Sequence, residues 1–402
     1  MSRFRPCQPG FDLFYSSAMS TESASGYSRK NPFPATLTVN RILTAEGSNK
    51  DTRHLEIDLT GSGVTYEVGD SLGVFASNDP GLVEAILTNQ GFSGNEQVPD
   101  PDGNLIPLRQ ALTEKYILTE PAKQLLKALP DKDDSAGFLT DLLDPGQKGP
   151  LGEYLWGRDV LDMLEEFTAA KFTAEEFIKV LRKLQPRLYS IASSQRVVGE
   201  TVHLTLAVVR YQPEGNKRLH KGVCSTFLAE RAEGPGKIPV FSHTAKHFRV
   251  PENPDEAMIM VGPGTGIAPF RAMLQERQAT GAKGKNWLFF GEQQAASDFF
   301  YQDEFEGYQA AGVLSKFTTA FSRDQTEKIY VQHRMLEHGA EFFDWLENGA
   351  SFYVCGDAAR MAKDVDTAIH KIVEKFGHKT EEEAREYVDA LKKEKRYRKD
   401  VY

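Results

Sequence analysis

The feature that most restricts the fold is a change in hydrophobic period near residue 256. From there "AMIMV", "NWLFFG", "LSKFTTAFS" and "SFYVCG" are short apolar runs, each followed by a polar or helical stretch. A strand covered on both faces must be apolar along its whole length, and parallel neighbours need a crossover long enough to hold a helix. Residues 253–402 are therefore expected to form an α/β domain around a parallel sheet. Helical spacing follows in "MAKDVDTAIHKIVEKF" and again in "EEEAREYVDALKKEKRY", which leaves Arg398 to Tyr402 as a tail. Chain ends fray in water, so an aromatic last residue calls for a partner.

Upstream the pattern is different. "ATLTVNRIL", "TRHLEIDLTG" and "SLGVFA" alternate between polar and glycine turns, as antiparallel strands do. Between about 80 and 185 the period becomes helical in "GLVEAILTN", "PAKQLLKAL", "RDVLDMLEEF" and "AEEFIKVLRKL", the last with Thr173 and Glu176 spaced for a capping box. Strand patterning returns in "ETVHLTLAVVRY" and ends near "HFRVPENP". Residues 31–252 thus read as one antiparallel sheet domain containing a mostly helical insert at about 80–185. Residues 1–30, rich in Ser, Gly and Pro without periodicity, read as a flexible arm. A length of 402 residues with 40% apolar content suits two principal domains.

Composition removes several classes of function. A net charge of −9 argues against a general nucleic-acid surface. No apolar run reaches 18 residues and no signal-peptide order opens the chain, so a cytoplasmic protein without membrane insertion is expected. Cys7, Cys224 and Cys355 are too few and too scattered for a disulfide framework, a zinc ribbon or an iron–sulfur cluster. His243 and His247 lack the glutamate of a zinc helix, and no metal is expected. Any redox centre is then organic or lies on another protein.

"AMIMVGPGTGIAPFRAML" has the form strand, glycine turn, helix. Gly262, Gly264 and Gly266 permit a tight turn and close backbone approach, and the helix start offers unpaired N–H groups to a diphosphate. No lysine and hydroxyl pair follows, which excludes a Walker loop; a plain helix-entry turn remains the other reading. Ser322, Arg323, Lys328 and Tyr330 in "SRDQTEKIY" suit a 2′-phosphate and an adenine, although a solvated charged turn would look the same. Glu292 pulls the other way, because an acid after the second strand commonly holds the free 2′-hydroxyl of NAD.

With "RLYSIASS", "GVCSTFL", "VGPGTGIAPFRAML", "AFSRDQTEKIYVQ", "YVCGDAARMAKDVD" and "RYRKDVY" present in that order, the chain from about residue 32 onward resembles the ferredoxin–NADP reductase-like module of the diflavin reductases, most of all its sulfite reductase branch. The resemblance implies an antiparallel β-barrel that binds FAD, a helical connecting subdomain and an NADPH-binding domain. It places Arg187 on the FAD diphosphate, Leu188 and Tyr189 along the isoalloxazine with the tyrosine packed on it, and Ser190 toward N5. It gives Thr205, Leu206, Ala207 and Tyr211 to the remainder of the flavin cofactor, and the backbone of Gly222, Val223, Cys224 and Ser225 to its diphosphate. For NADPH it implies Gly264, Thr265 and Gly266, then Ser322, Arg323, Lys328, Ile329, Tyr330, Val331 and Gln332, and Asp364. The residues around the reacting rings fall on Ser190, Cys355 and Asp400, with Tyr402 stacked over the flavin as a gate.

The activity so implied is hydride transfer from NADPH to FAD, then release of single electrons to a separate flavodoxin, ferredoxin, FMN protein or sulfite reductase haemoprotein, in the sulfite assimilation that feeds cysteine biosynthesis. Two departures stand out: no FMN domain is expected in this chain, and Gln293 and Gln294 occupy a place where a basic residue is common. A ferredoxin or flavodoxin–NADP reductase of another pathway is the enzymatic alternative. A non-catalytic nucleotide-binding assembly subunit is the other; it would be colourless, whereas a flavoprotein is yellow.

Overall fold

A computed structural model describes residues 26–216 and 218–402. They belong to two compact units, one made of the chain up to Gly73 with Leu188–Ala207 and Gly234–Tyr402, the other of Val74–Arg187 and Val208–Glu233. Most of the expected arm, residues 1–25 with Cys7, lies outside the described residues.

The first unit contains two sheets. Strands β1 (Phe33–Ile42), β2 (Thr52–Asp58), β3 (Ser71–Val74), β4 (Arg187–Ser190), β5 (Thr201–Ala207) and β6 (Ile238–His243) form a six-stranded sheet in the order β4-β3-β6-β1-β2-β5. The pairs β1 with β6, β1 with β2 and β2 with β5 are antiparallel. The alternation read in the sequence becomes inward pairing: Leu55 faces Leu204 and Ile57 faces Val202, all fully buried. Beyond β4 the chain crosses at once to the opposite edge, where Ile191 bridges Leu204 of β5. The sheet therefore closes on itself as a barrel, which removes both exposed edges.

The second sheet is parallel throughout, with β7 (Met258–Val261), β8 (Asn286–Glu292), β9 (Lys316–Phe321), β10 (Ser351–Gly356) and β11 (Tyr397–Val401) in the order β9-β8-β7-β10-β11. Every residue of β7, β8 and β10 is buried, which explains why these segments read as unbroken apolar runs. Strand order reverses at β7, so a crevice opens at the carboxyl ends of β7 and β10, where ligands of such sheets bind.

Two expectations need correction. The last helix ends at Lys393 after a Thr380–Glu383 capping box, the chain turns through Lys395 at φ 58°, and Tyr397–Val401 is a fifth strand, not a tail. Only one face of this edge strand packs, with Tyr397 at 4.8 Å from Phe352, so its charged outer face disguised it. The helix begun by "AEEFIKVLRKL" stops at Lys179, and Arg182–Lys183 instead pairs with Tyr116–Ile117.

The second unit is helical, as the period between 80 and 185 implied. Asp79 caps the helix Pro80–Gln90 and Gly91, at φ 74°, ends it. That helix packs with Val160–Glu166 and Ala174–Lys179 around Val83, Leu87, Leu164, Phe167 and Phe177. Thr173 and Glu176 form the expected capping box.

Candidate functional site

Straight after β7, the chain bends through Gly262, Gly264 and Gly266 into a 3₁₀ turn, Gly264–Ile267, and the helix Ala268–Thr280, with Pro269 in its first turn. A Cβ on Gly262 would stand 2.5 Å from the Gly266 carbonyl oxygen, and one on Gly266 only 2.1 Å from that of Cys355. Gly264 has φ 59°, which disfavours a side chain. The glycines thus let the loop lie flat against the end of β10 and leave a bare backbone cradle at the crevice.

The register of β11 on β10 sets Asp400 beside Cys355 and Val401 beside Gly356. Ser190, the last residue of β4, donates its hydroxyl to Asp400 Oδ2 at 2.6 Å, and the Cys355 thiol lies 3.9 Å from the same oxygen. Burial raises the Asp400 carboxyl above its ordinary value, against the opposing effect of these two hydrogen bonds. Burial, reinforced by the Asp400 charge, pushes the Cys355 thiol well up, so it stays neutral. Tyr402 donates its backbone N–H to the Gly356 carbonyl at 3.1 Å and accepts from Ala358 N–H at 3.0 Å. The residue as a whole is exposed, with its hydroxyl 2.8 Å from Thr265 Oγ1 in the glycine loop. Four expected residues, Ser190, Cys355, Asp400 and Tyr402, are therefore brought together.

Beyond β9 lies the loop expected to meet the 2′-phosphate. Ser322 and Arg323 donate backbone N–H groups to the carbonyls of Glu292 and Gln293, at 2.9 and 2.7 Å, tying this loop to the end of β8. Lys328 is exposed, and Tyr330, 42% exposed, opens the helix Val331–Glu337. The Tyr330 N–H is donated to His333 Nδ1 at 3.1 Å. Ile329 is half-buried and Val331 buried, so these two pack the loop from beneath. Gln332 reaches Asp364, in the first turn of the helix Met361–Phe376, at 3.2 Å. Glu292 is buried, takes both hydrogen bonds of the Lys50 ammonium, at 2.6 and 2.8 Å, and accepts the Gln293 N–H at 2.8 Å. Burial nonetheless raises its carboxyl above the ordinary range.

Of the flavin residues, Leu188 is exposed and Tyr189 half-buried on β4. Thr205 is buried on the face of β5 opposite Leu204, its hydroxyl 2.8 Å from that of Tyr301; Leu206 is buried and Ala207 exposed. The other expected flavin residues belong to the second unit. There Arg187 is exposed, and Tyr211 lies 5.4 Å from the ring of His220. Gly222 precedes a one-turn helix, Val223–Thr226, and a Cβ on it would collide with Ser225 Oγ at 2.7 Å and Val209 Cβ at 2.9 Å. Ser225 accepts the Val209 N–H at 3.1 Å, and Cys224 is buried in the packing. Tyr211, Lys221, Val223 and Thr226 line a cleft of about 270 Å³ in this unit.

Sequence reasoning missed two polar groups. In the second unit Arg218 grips Asp159, at 2.7 and 3.0 Å, and also Asp162, which form the capping box of Val160–Glu166; His220 Nε2 lies 3.3 Å from Asp162. In the first, His54 Nε2 lies 3.1 Å from Glu56, His203 Nε2 3.8 Å from it, and Arg271 donates to His203 Nδ1 at 3.3 Å. Each brings ligand atoms within 4.8 Å of one another; Arg218 already binds both carboxylates of the one, and in the other Arg271 bonds the His203 nitrogen turned away from Glu56. The contacts span separations no local pattern reports.

The family model described as FAD binding domain matches residues 25–227, and that described as oxidoreductase NAD-binding domain matches residues 260–367. The chain belongs to the FAD binding domain family and carries an oxidoreductase NAD-binding domain beside it. Among particular proteins, it is 46% identical over 389 residues to the sulfite reductase (NADPH) flavoprotein alpha-component of Bacillus subtilis (strain 168), which covers 96% of this chain and 63% of the relative. The protein of the same name from Aliivibrio fischeri is 47% identical over 378 residues, covering 94% and 61%, and that from Vibrio cholerae El Tor Inaba is 47% identical over 385 residues, covering 96% and 62%. The chain thus spans about three fifths of the length of these relatives. No helix among the described residues is long and apolar enough to cross a membrane.

Proposed function

We propose that this chain takes reducing equivalents from NADPH onto FAD and passes them singly to a separate redox protein, in the reduction of sulfite for cysteine biosynthesis. The acceptor is a flavodoxin, ferredoxin, FMN protein or the haemoprotein of a sulfite reductase. The observation that carries the reading is the meeting of Ser190 and Cys355 on the Asp400 carboxylate, beside a glycine cradle. Residues 31–252 would be the FAD-binding part and 253–402 the NADPH-binding part. When bound, FAD supplies acceptance of two electrons and their release one at a time.

The protein's own residues have distinct tasks in this reading. Gly264, Thr265 and Gly266 would present backbone to the dinucleotide diphosphate, while Ser322, Arg323 and Lys328 would neutralise the 2′-phosphate and Tyr330 would lie on the adenine. Gln332 and Asp364 would brace that pocket. Leu188, Tyr189, Thr205, Leu206 and Ala207 would meet the flavin ring and ribityl chain; Arg187, Tyr211 and Gly222 to Ser225 would meet its diphosphate and adenine. Ser190 holds its hydroxyl hydrogen on Asp400. Asp400, with its raised carboxyl value, is suited to hold a proton and give it up. Cys355 stays a neutral packing thiol. The Tyr402 backbone, just past β11, is tied to Gly356 and Ala358, so the ring alone would swing aside when a nicotinamide enters, a gating step that can limit turnover.

The test is anaerobic stopped-flow absorption of the FAD-loaded chain mixed separately with NADPH and NADH. Fast bleaching near ~450 nm with NADPH and slow bleaching with NADH is expected for a flavin reduced by a 2′-phosphate-selective site. FAD binding without reduction by either nucleotide would overturn the proposal.

A further inference from the structure

The loop that joins β1 to β2 is fastened to the segment that leaves β8. Ala45 donates its N–H to the Ser297 carbonyl at 2.8 Å, the Ser48 hydroxyl binds Asp298 at 2.5 Å, and Lys50 binds both oxygens of Glu292. Three contacts of different kinds make this a docked loop, not one chance ion pair. Glu292 ends the strand beside β7, the place from which an acid accepts the 2′-hydroxyl of an adenine ribose. Here its side chain is 2% exposed, and Oε1 lies 3.4 Å from the point where a Cβ on Gly264 would stand. A carboxylate under that loop repels an incoming phosphate unless a cation cancels it, and burial weakens the screening by salt.

We infer that Lys50 determines dinucleotide specificity by holding and neutralising Glu292, so that a ligand with a 2′-phosphate is accepted ahead of one with a free 2′-hydroxyl. This rests on the reading of the Gly262 to Gly266 loop as a site for NADP(H). Lys50 is a positioning residue: it acts through Glu292. Without its ammonium, two effects run the same way. The uncompensated carboxylate opposes the more highly charged NADP(H), and once released it is free to bond the 2′-hydroxyl of NAD(H). Gln293 and Gln294 bring no cation to this end of β8, so the charge comes from the β1–β2 loop.

The test is calorimetric titration of the FAD-loaded chain with NADP⁺ and with NAD⁺, for the unmodified protein, Lys50→Met, Glu292→Gln and the double variant, with the thermal midpoint recorded for each. Lys50→Met is expected to lower the NADP⁺ to NAD⁺ affinity ratio about tenfold, the size of a typical contact coupling. Glu292→Gln keeps the ratio at or above its starting value, and Lys50→Met with Glu292→Gln recovers it. The double variant buries no lone charge and decides the matter if Lys50→Met does not fold. A double variant that keeps the low ratio, or a Lys50→Met protein that loses both affinities equally, overturns the inference. Preference of the unmodified chain for NAD⁺ would instead overturn the functional reading beneath it.

Discussion

Two buried polar groups of the first unit differ in what their neighbours leave undone. Around His54, Glu56 and His203 the buried cation is held by several acceptors: Arg271 donates to His203 Nδ1 and to the Ala192 carbonyl, and makes a two-point pair with Glu304 at 2.7 and 3.0 Å. Tyr301 closes the group on His54 Nδ1 at 3.0 Å. Around Asp400 the hydrogen-bond partners are a hydroxyl and a thiol, both neutral, and burial pushes its carboxyl up. The first arrangement suits a fixed core. The second leaves a proton-holding group poised, which is the pattern of sites that do chemistry.

The sharpest way to break this contrast is to remove Arg271. Arg271→Met leaves Glu304 and the imidazoles without their cation and is expected to cost about 3 kcal/mol of unfolding free energy. Flavin reduction per folded, FAD-loaded molecule should stay near its starting rate, as urea titration and stopped-flow absorption together would show. The reverse pattern is expected of Asp400→Asn: unchanged or slightly raised stability, because a costly buried carboxyl is gone, with NADPH-dependent reduction slowed roughly 100-fold. Slowing without that selectivity, in both variants or neither, would erase the distinction.

A smaller effect separates the groups by the sign of their pH dependence. Burial, aided by the charge of Arg271, holds the imidazole of His54 down at about 3 and that of His203 at about 4, against an ordinary 6.5. Below pH 6.5 the unfolded chain binds protons that the folded one refuses, so this stability is full above that value and is lost as the pH falls toward 3. Asp400 works oppositely: its raised value lets the folded chain hold a proton the unfolded one releases, so its contribution falls as the pH rises through the carboxylate range. Urea titrations across this range should show His203→Gln flattening the acid loss and Asp400→Asn removing the opposing slope.

The parallel sheet was legible because β7, β8 and β10 are buried on both faces and carry their polar residues only at their ends. The glycine loop was legible because Gly262 and Gly266 answer to backbone overlap, which only one residue type relieves. Thr173 with Glu176 showed itself because a cap lies within three residues of its partner. β11 was hidden by its charged outer face, and Arg182–Lys183 by the helical period running into it. Lys50 with Glu292, and Arg271 with His203, were invisible for another reason: each pair is joined by folding across the chain, and a lysine in "EGSNKD" looks like any solvated turn.

The barrel also has a history in time. β1 pairs with both β2 and β6, Phe33 lying opposite Val240, so this strand waits for its second partner through some two hundred further residues. At 5–20 residues per second that is roughly 10–40 s. Meanwhile the helical insert, whose contacts lie mostly within its own stretch, can condense alone. Through that interval the half-built sheet offers a bare strand edge to any neighbour, which makes the nascent chain, more than the finished fold, the form that most needs a chaperone.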